Sequence, residues 1–170
     1  MISQNFKPVT WYAGLVIMTL ILLGLQTAAQ AKGKGPVTGF DMPRFVSLQS
    51  SEANVRTGPG LTYPIQYKYQ RANQPLQVTD EYGHWRKVKD WQGDEGWIHK
   101  RLLTGVRYLR VMENDLALLS RPNAEARLRA RLGQGTLLQL RACKDGWCQV
   151  DIKNMAGWVP SHAVFGAVAK

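Results

Sequence analysis

The chain has 170 residues, with 22 lysines and arginines against 12 acidic residues, and a formal net charge of +10 at pH 7. Hydrophobic residues make up 45% and charged residues 20% of the sequence, which excludes an acidic disordered or low-complexity chain. The length allows one domain or two small ones, and it is too short for an α/β barrel enzyme. With three histidines and two cysteines, a histidine-rich metal site is not expected.

Residues 1–31 are predicted to be a secretory signal peptide. An uncharged run of 15 residues, 11–25, follows Lys7 and precedes Ala29-Gln-Ala31, a pattern that suits signal peptidase. As a helix the run rises only about 22 Å, short of the roughly 30 Å of a bilayer's hydrocarbon core. An uncleaved anchor is the alternative, and it provides the only membrane attachment expected. Either way the chain is expected to be exported, to the periplasm or cell envelope.

The next segment, 32–44, is rich in Gly, Pro and Lys and is predicted to be a linker. Removing residues 1–31 takes one charge, that of Lys7, from the total of +10 and leaves +9. For an exported protein this basicity points to anionic envelope polymers or acidic protein faces rather than to nucleic acid. Polyanion or membrane-surface binding is therefore one functional hypothesis.

After the linker the sequence repeats itself weakly, which predicts two modules, 45–105 and 106–170. The run 54–60 aligns with 117–123 at an offset of 63. Trp85 aligns with Trp147 at an offset of 62, and Trp97 with Trp158 at an offset of 61. An offset that drifts by single residues is what small loop deletions leave in a duplicated module.

Within each module the pattern is that of β-strands. Residues 75–79 and 137–141 alternate between apolar and polar side chains, and turn formers separate extended flanks at 81–86 and 143–148. The run 123–132 has helical composition but fits a loop and a strand equally well. Several short strands in 60 residues favour a small, strongly bent barrel. Because so small a unit buries little of its own surface, the two modules are expected to pack together.

The run Asn54-Val-Arg56-Thr-Gly58-Pro59-Gly60, with Trp85 and Gly96-Trp97-Ile98 further on, resembles bacterial SH3 (SH3b) domains. The resemblance covers 45–105 well and 106–166 more loosely, since the second copy lacks the Asn-Val-Arg and Gly-Pro-Gly residues. It implies an all-β fold of two tandem SH3-like barrels behind the signal peptide. It also implies a binding or targeting role, often toward peptidoglycan or envelope proteins.

Several residues of this motif have structural interpretations. Gly58-Pro59-Gly60 supplies the backbone freedom and fixed φ of a tight loop, which Asn54 and Arg56 could hold through bonds to its backbone; direct ligand contact is the alternative. The matched tryptophans Trp85, Trp97, Trp147 and Trp158 are interpreted as core residues. The spacing of Trp85 and Val88 breaks strict alternation, which a bulge between them would explain.

Cys143 and Cys148 flank the turn of a predicted hairpin, where facing Cβ atoms lie near the separation a disulfide needs. Export supplies the oxidising compartment, so a structural disulfide is predicted; a redox-active pair is the alternative. The aligned positions in the first module are Glu81 and Arg86, an opposite-charge pair that could bridge the same hairpin.

No catalytic set is evident in the sequence. No Gly-x-Ser-x-Gly, His-Glu-x-x-His or phosphate-loop motif occurs, and paired cysteines would leave no thiol nucleophile. The chain is therefore predicted to be a binding protein rather than an enzyme, with no metal and no cofactor.

Binding is predicted in the first module, which carries aromatic residues that the second lacks. A groove of flat aromatics beside acidic groups would suit a peptide bearing amino groups, such as a peptidoglycan stem peptide or a segment of an envelope protein. Packing of the tyrosines between the modules or over loops is the alternative. The predicted ligand-binding residues are Tyr63, Tyr67, Tyr69, Tyr82, Trp91, Asp94 and Glu95.

Overall fold

A computed structural model describes residues 33–167 of the chain. The predicted signal peptide, 1–31, lies outside the described residues. Within 33–167, no helix has both the length and the apolar character needed to cross a membrane.

The segment predicted to be a linker is folded rather than open. Strands β1 (Gly33–Lys34) and β2 (Asp41–Met42) pair antiparallel, and the Gly35 amide donates to the Phe40 carbonyl at 2.8 Å. We call residues 33–42 the leading hairpin. The buried carboxylate of Glu81 accepts from the backbone amides of Val37 at 3.2 Å and Thr38 at 2.8 Å. A partner about 40 residues along the chain therefore orders a segment whose own composition favours a linker.

Seven strands form the sheet of the first module, in the order β5-β4-β8-β7-β6-β3-β9. They are β3 (Arg44–Leu48), β4 (Ala53–Arg56), β5 (Ile65–Tyr69), β6 (Pro75–Tyr82), β7 (Trp85–Lys89), β8 (Glu95–His99) and β9 (Leu103–Thr104). A single 3-10 turn, Lys100–Leu102, separates the last two strands.

The second module repeats this order strand for strand, as β12-β11-β15-β14-β13-β10-β16. Its strands are β10 (Tyr108–Val111), β11 (Leu116–Leu119), β12 (Leu128–Leu132), β13 (Leu137–Lys144), β14 (Trp147–Ile152), β15 (Met155–Pro160) and β16 (Val164–Phe165), with a 3-10 turn at Ser161–Ala163. The run 123–132 is a loop followed by β12. The all-β prediction of two tandem modules with curled sheets is confirmed.

Each core consists mainly of aliphatic side chains, and the prediction that the four tryptophans are core residues is wrong. Trp85 and Trp97 are only half-buried, whereas Val88 and Ile98 on the same strands are 0% exposed. Trp147 and Trp158 are likewise half-buried. The inward positions beside Trp97 and Trp158 belong to glycines that touch the facing strand, so the strands place the tryptophans on the outer face.

This geometry also corrects the expected bulge between Trp85 and Val88. Strand β7 alternates regularly, because Trp85 faces outward and Val88 faces the core. The irregularity lies in the neighbouring strand β6, between Val78 and Asp80.

The two hairpins that align in the sequence are closed by different bonds at the same place. Cys143 and Cys148 are cross-strand partners with Cα atoms 4.1 Å apart and form a disulfide, so this prediction is confirmed. Glu81 and Arg86 are the corresponding partners in the first module, and the Arg86 Nε lies 3.3 Å from Glu81 Oε1.

The modules pack against one another, as expected from their size. The Tyr108 amide donates at 2.9 Å to the hydroxyl of Ser47, which is fully buried. The rings of Phe45 and Phe165 meet edge to face, with centroids 5.2 Å apart. The junction therefore contains both a buried polar contact and an aromatic pair.

Candidate functional site

The Gly-Pro-Gly loop is held by Arg56, which ends strand β4. The Arg56 Nη1 donates to the carbonyls of Leu61 at 3.1 Å and Tyr63 at 2.6 Å. A side chain at Gly58 would overlap the Tyr63 ring, so the glycine lets this aromatic residue cover the loop. Arg56 thus makes bonds of the kind that the sequence suggests, while no such bond joins Asn54 to the loop within the described residues.

Beside this loop lies a groove of about 320 Å³ on the first module, which we call the β4–β8 groove. Trp85 and His99 are cross-strand partners, so their side chains stand on the same face. Their rings meet edge to face with centroids 5.4 Å apart. The lining residues are Glu52, Asn54, Arg56, Leu61, Lys68, Trp85, His99, Arg101 and Leu102.

The groove combines an aromatic wall with an excess of positive charge. Arg56, Lys68 and Arg101 contribute cations, and its one acid, Glu52, already pairs with Lys68 at 3.3 Å. Burial, and then the charge of Arg101, lower the pKa of His99, so this imidazole is neutral at pH 7. The groove is suited to a ligand with an apolar or planar part and an anionic group.

The second module has the tryptophan of this groove but not its polar residues. Trp147 pairs with Pro160 as Trp85 pairs with His99. At the offset of 63, Ala117 and Leu119 replace Asn54 and Arg56. The tryptophan of the groove is therefore common to both modules, whereas the polar groups that could select a ligand occur in the first module.

Two of the predicted tyrosines, Tyr67 and Tyr69, form a cluster elsewhere, on strand β5. Their rings meet edge to face at 5.4 Å, and the Tyr69 hydroxyl donates at 3.0 Å to Asp90, which is 5% exposed. Burial raises the pKa of both tyrosines, and the hydrogen bond between them raises that of Tyr69 further. Tyr69 therefore remains a protonated donor that holds the β7–β8 turn.

Trp91 lies in that turn and faces the second module. The Arg110 guanidinium carbon stands 4.3 Å from the centre of the Trp91 ring, within the range of a cation–π contact. The aromatic residue that the sequence singles out as free for a ligand is thus half-buried at the module junction.

The remaining predicted ligand residues lie apart from one another. Glu95 pairs with Lys87 at 2.8 Å, and this hydrogen bond lowers the pKa of the carboxyl group. Asp94 is exposed in the turn near Tyr67, Tyr63 covers the Gly-Pro-Gly loop, and Tyr82 is 66% exposed opposite Trp85. The seven predicted residues therefore do not share one groove with unpaired acids.

The ligand-accessible faces of Trp85, His99 and Arg101 are not predicted from the sequence. For Trp85 the repeat itself misleads the prediction, because a tryptophan present in both modules is interpreted as a core residue. Across residues 33–167, no three His, Cys, Asp or Glu side chains are grouped so as to hold a metal ion.

Comparison with known proteins places both modules in one family. The family model of the bacterial SH3 domain matches residues 49–105 and again residues 113–166. A protein of Bacillus subtilis (strain 168) named "Putative N-acetylmuramoyl-L-alanine amidase YrvJ" is 24% identical over 128 residues, a match that covers 69% of this chain and 24% of that protein. The chain thus spans about a quarter of the length of this relative.

Two solved structures show weaker likeness. NlpC2 from Trichomonas vaginalis is 11% identical with a TM-score of 0.34, over 74% of this chain and 49% of that one. An NlpC/P60 family protein from Bacillus cereus ATCC 10987 is 15% identical with a TM-score of 0.33, over 71% and 55%. The two family-model matches together cover more than half of the sequence, and the chain belongs to the bacterial SH3 domain family.

Proposed function

We propose that this protein is an exported, non-catalytic binding module of the bacterial cell envelope. It recognises peptidoglycan, most simply a stem peptide, in the β4–β8 groove of its first module. The observation that carries the proposal is the pairing of Trp85 with His99 beside two arginines, Arg56 and Arg101, that form no ion pair with a carboxylate of the described residues.

Chemical complementarity supports this ligand class. Peptidoglycan peptides bear carboxylates along an extended backbone, and guanidinium and ammonium groups bind carboxylates through charge-assisted hydrogen bonds. The aromatic wall offers an apolar face to the sugar or to an alanine methyl group. Of the two acids that the sequence predicts to bind amino groups, Glu95 is already paired with Lys87, and neither acid lines this groove.

The relative from Bacillus subtilis supports the location. Its name refers to N-acetylmuramoyl-L-alanine, the junction of glycan and peptide in the cell wall. A module shared with such a protein is well placed to hold a chain at the wall. The signal peptide proposed for 1–31 would bring this chain to the same compartment, and N-terminal sequencing of the mature protein tests its cleavage.

A non-catalytic role is supported by the chemistry of the described surface. Both cysteines of the chain are joined in the disulfide, so neither supplies a thiolate. The groove contains one neutral imidazole, His99, and its nearest ring neighbours are Trp85 and His84. No carboxylate that would orient this imidazole as a base lines the groove except Glu52, which pairs with Lys68.

Co-sedimentation with purified sacculi tests the proposal. The wild-type protein is expected to pellet with sacculi, and Trp85→Ala to weaken binding at least about tenfold, as loss of an aromatic anchor does. Trp147→Ala is the matched control, since it removes the equivalent half-buried ring from the second module, and it should change binding less than about twofold.

The same experiment separates the alternatives. Wild-type protein that stays in the supernatant at low salt would contradict wall binding and favour an envelope protein as partner, which cross-linking in cells would then identify. Equal losses of sacculus binding in the two tryptophan variants would contradict recognition through the β4–β8 groove. Binding that falls steeply with salt and ignores both variants would favour polyanion or membrane-surface binding driven by net charge.

A further inference from the structure

A second group of side chains, at the junction of the two modules, has the composition of an anion site. It consists of Trp91 and Arg71 from the first module and Arg110 from strand β10 of the second. This group shares no residue with the β4–β8 groove, so a ligand bound there would be additional to the proposed function.

Arg110 is held in place but is not neutralised. Its guanidinium stacks on the Trp91 ring at 4.3 Å, and its Nε is buried without a hydrogen-bond partner. No carboxylate within the described part of the chain forms an ion pair with it. A cation partly removed from water normally needs a counter-charge, and here the side chain that the guanidinium stacks on is an aromatic ring.

A second guanidinium lies beside the first. The Arg71 Nη1 reaches the carbonyl of Gly135 at the long distance of 3.5 Å. The Arg110 Nη2 lies 3.1 Å from the position that a Cβ of residue 135 would occupy. Both guanidinium groups thus approach the same glycine from different modules, and the two charges repel each other.

The nearby carboxylate of Asp90 forms no ion pair with either guanidinium, and its oxygens accept three hydrogen bonds from its own module. Its Oδ2 accepts from the Tyr69 hydroxyl, and its Oδ1 accepts from the backbone amides of Gln92 at 2.9 Å and Asp94 at 3.1 Å. Asp90 acts on Arg110 only through its electrostatic field. Two guanidiniums and one carboxylate leave one uncompensated positive charge.

We propose that Arg71 and Arg110, with Trp91 as a stacking platform, form a binding site for a single carboxylate group at the module junction. A monoanion balances the residual charge of one, whereas a phosphate dianion would exceed it and be repelled more strongly by Asp90. Two guanidiniums from different modules match the two oxygens of one carboxylate. Binding would join the modules and hold their relative orientation.

The test is a titration of the protein purified from the cell envelope, followed by NMR at the Arg110 Nε–H and the Trp91 indole N–H. The probes are N-acetyl-D-alanyl-D-alanine, the same dipeptide with its C-terminus amidated, and inorganic phosphate. Saturable shifts at both positions are expected with the free acid and none with the amide. This comparison uses the wild-type protein and does not depend on whether a variant folds.

Variants then assign the site. Arg110→Lys keeps the charge but loses the planar stack, and it should weaken binding of the acid about tenfold. Arg121→Gln, which removes an exposed positive charge from the second module, should change binding less than about twofold. Equal shifts with acid and amide, no saturable shift with the acid, saturation by phosphate alone, or unchanged affinity in Arg110→Lys would each overturn the proposal. If the wild-type protein shows no binding of the free acid but still sediments with sacculi, this site is overturned and the proposed function stays in place.

Discussion

The leading hairpin depends on one buried carboxylate, and removing its charge is expected to destabilise the first module strongly. The side chain of Glu81 is fully buried. It lies 2.8 Å from Arg44 Nη2 and 3.3 Å from Arg86 Nε, and it also accepts from the amide and hydroxyl of Thr38, each at 2.8 Å. Glu81→Gln preserves the shape of the side chain and deletes its charge.

The magnitude follows from the bonds lost. Two charge-assisted hydrogen bonds contribute about 1.5–3 kcal/mol each, and breaking a buried ion pair from one side costs about 3–5 kcal/mol. The free energy of unfolding is therefore expected to fall by about 3–5 kcal/mol. At about 2–4 °C per kcal/mol, this lowers Tm by about 6–20 °C when the two packed modules unfold as one unit. Glu52→Gln is the matched control: the same change in an exposed pair with Lys68 should cost less than about 1 kcal/mol.

The pH dependence supplies a second test of the same residue. Burial alone raises the pKa of Glu81, but the hydrogen bonds from Thr38 and the pairing with Arg44 outweigh it, and the folded-state pKa lies below its ordinary value. The stabilisation is therefore complete above the unfolded-state pKa of about 4.3 and is lost as the pH falls through the folded-state value.

Urea denaturation of wild type and variant from pH 7 to pH 2.5 measures this difference, which should be constant near neutrality and shrink below about pH 4. Hydrogen exchange at the amides of Val37 and Thr38 should accelerate in the variant at pH 7. A loss below 1 kcal/mol at pH 7, or a difference that grows in acid, would refute the ion-pair explanation.

Two further predictions test the disulfide of the second module and the close packing of strands in the first. Replacing Cys143 and Cys148 together by Ser opens a loop of about six residues and should lower the free energy of unfolding by about 2 kcal/mol in urea denaturation, and an unchanged midpoint would show that the bond is dispensable. Gly96→Ala adds a methyl group that would overlap the Val55 side chain and should cost about 1–3 kcal/mol. Gly105→Ala, with open space around it, is the control and should be near neutral, so equal losses in the two variants would contradict this packing.

The sequence predicts those features that depend on local pattern and on comparison of the two modules. Aligning the modules places Glu81 and Arg86 on Cys143 and Cys148, and both pairs are cross-strand partners at the tip of a hairpin. The pairs are predictable because the register of a short hairpin follows from its turn and flanking strands.

The orientation of the tryptophans could not be predicted in the same way. Trp97 and Ile98 are adjacent, and the sequence alone does not say which of two apolar neighbours faces the core. The deciding contact is Gly96, at which a side chain would overlap Val55 on the facing strand. This close approach between strands distant in sequence decides which side chains face the core. The local pattern of apolar and polar residues carries no information about it.

The leading hairpin and the module junction share this difficulty. The composition of 33–42 favours a linker, and its order depends on bonds to Glu81. Trp91 stands out because the second module has no counterpart, yet its contact with Arg110 depends on how the modules pack. Comparison of two repeats identifies residues that the fold does not need, but it does not distinguish a ligand contact from a contact between the repeats.

The most direct test of ligand recognition by the first module is an NMR titration with soluble muropeptides, observed at the tryptophan indole N–H signals. Trp85 and Trp147 occupy equivalent outward positions in the two modules, so each serves as a reference for the other. We expect the Trp85 signal to shift with saturation and the Trp147 signal to stay in place. A shift confined to Trp147, or none at Trp85 while the protein still sediments with sacculi, would contradict recognition through the β4–β8 groove.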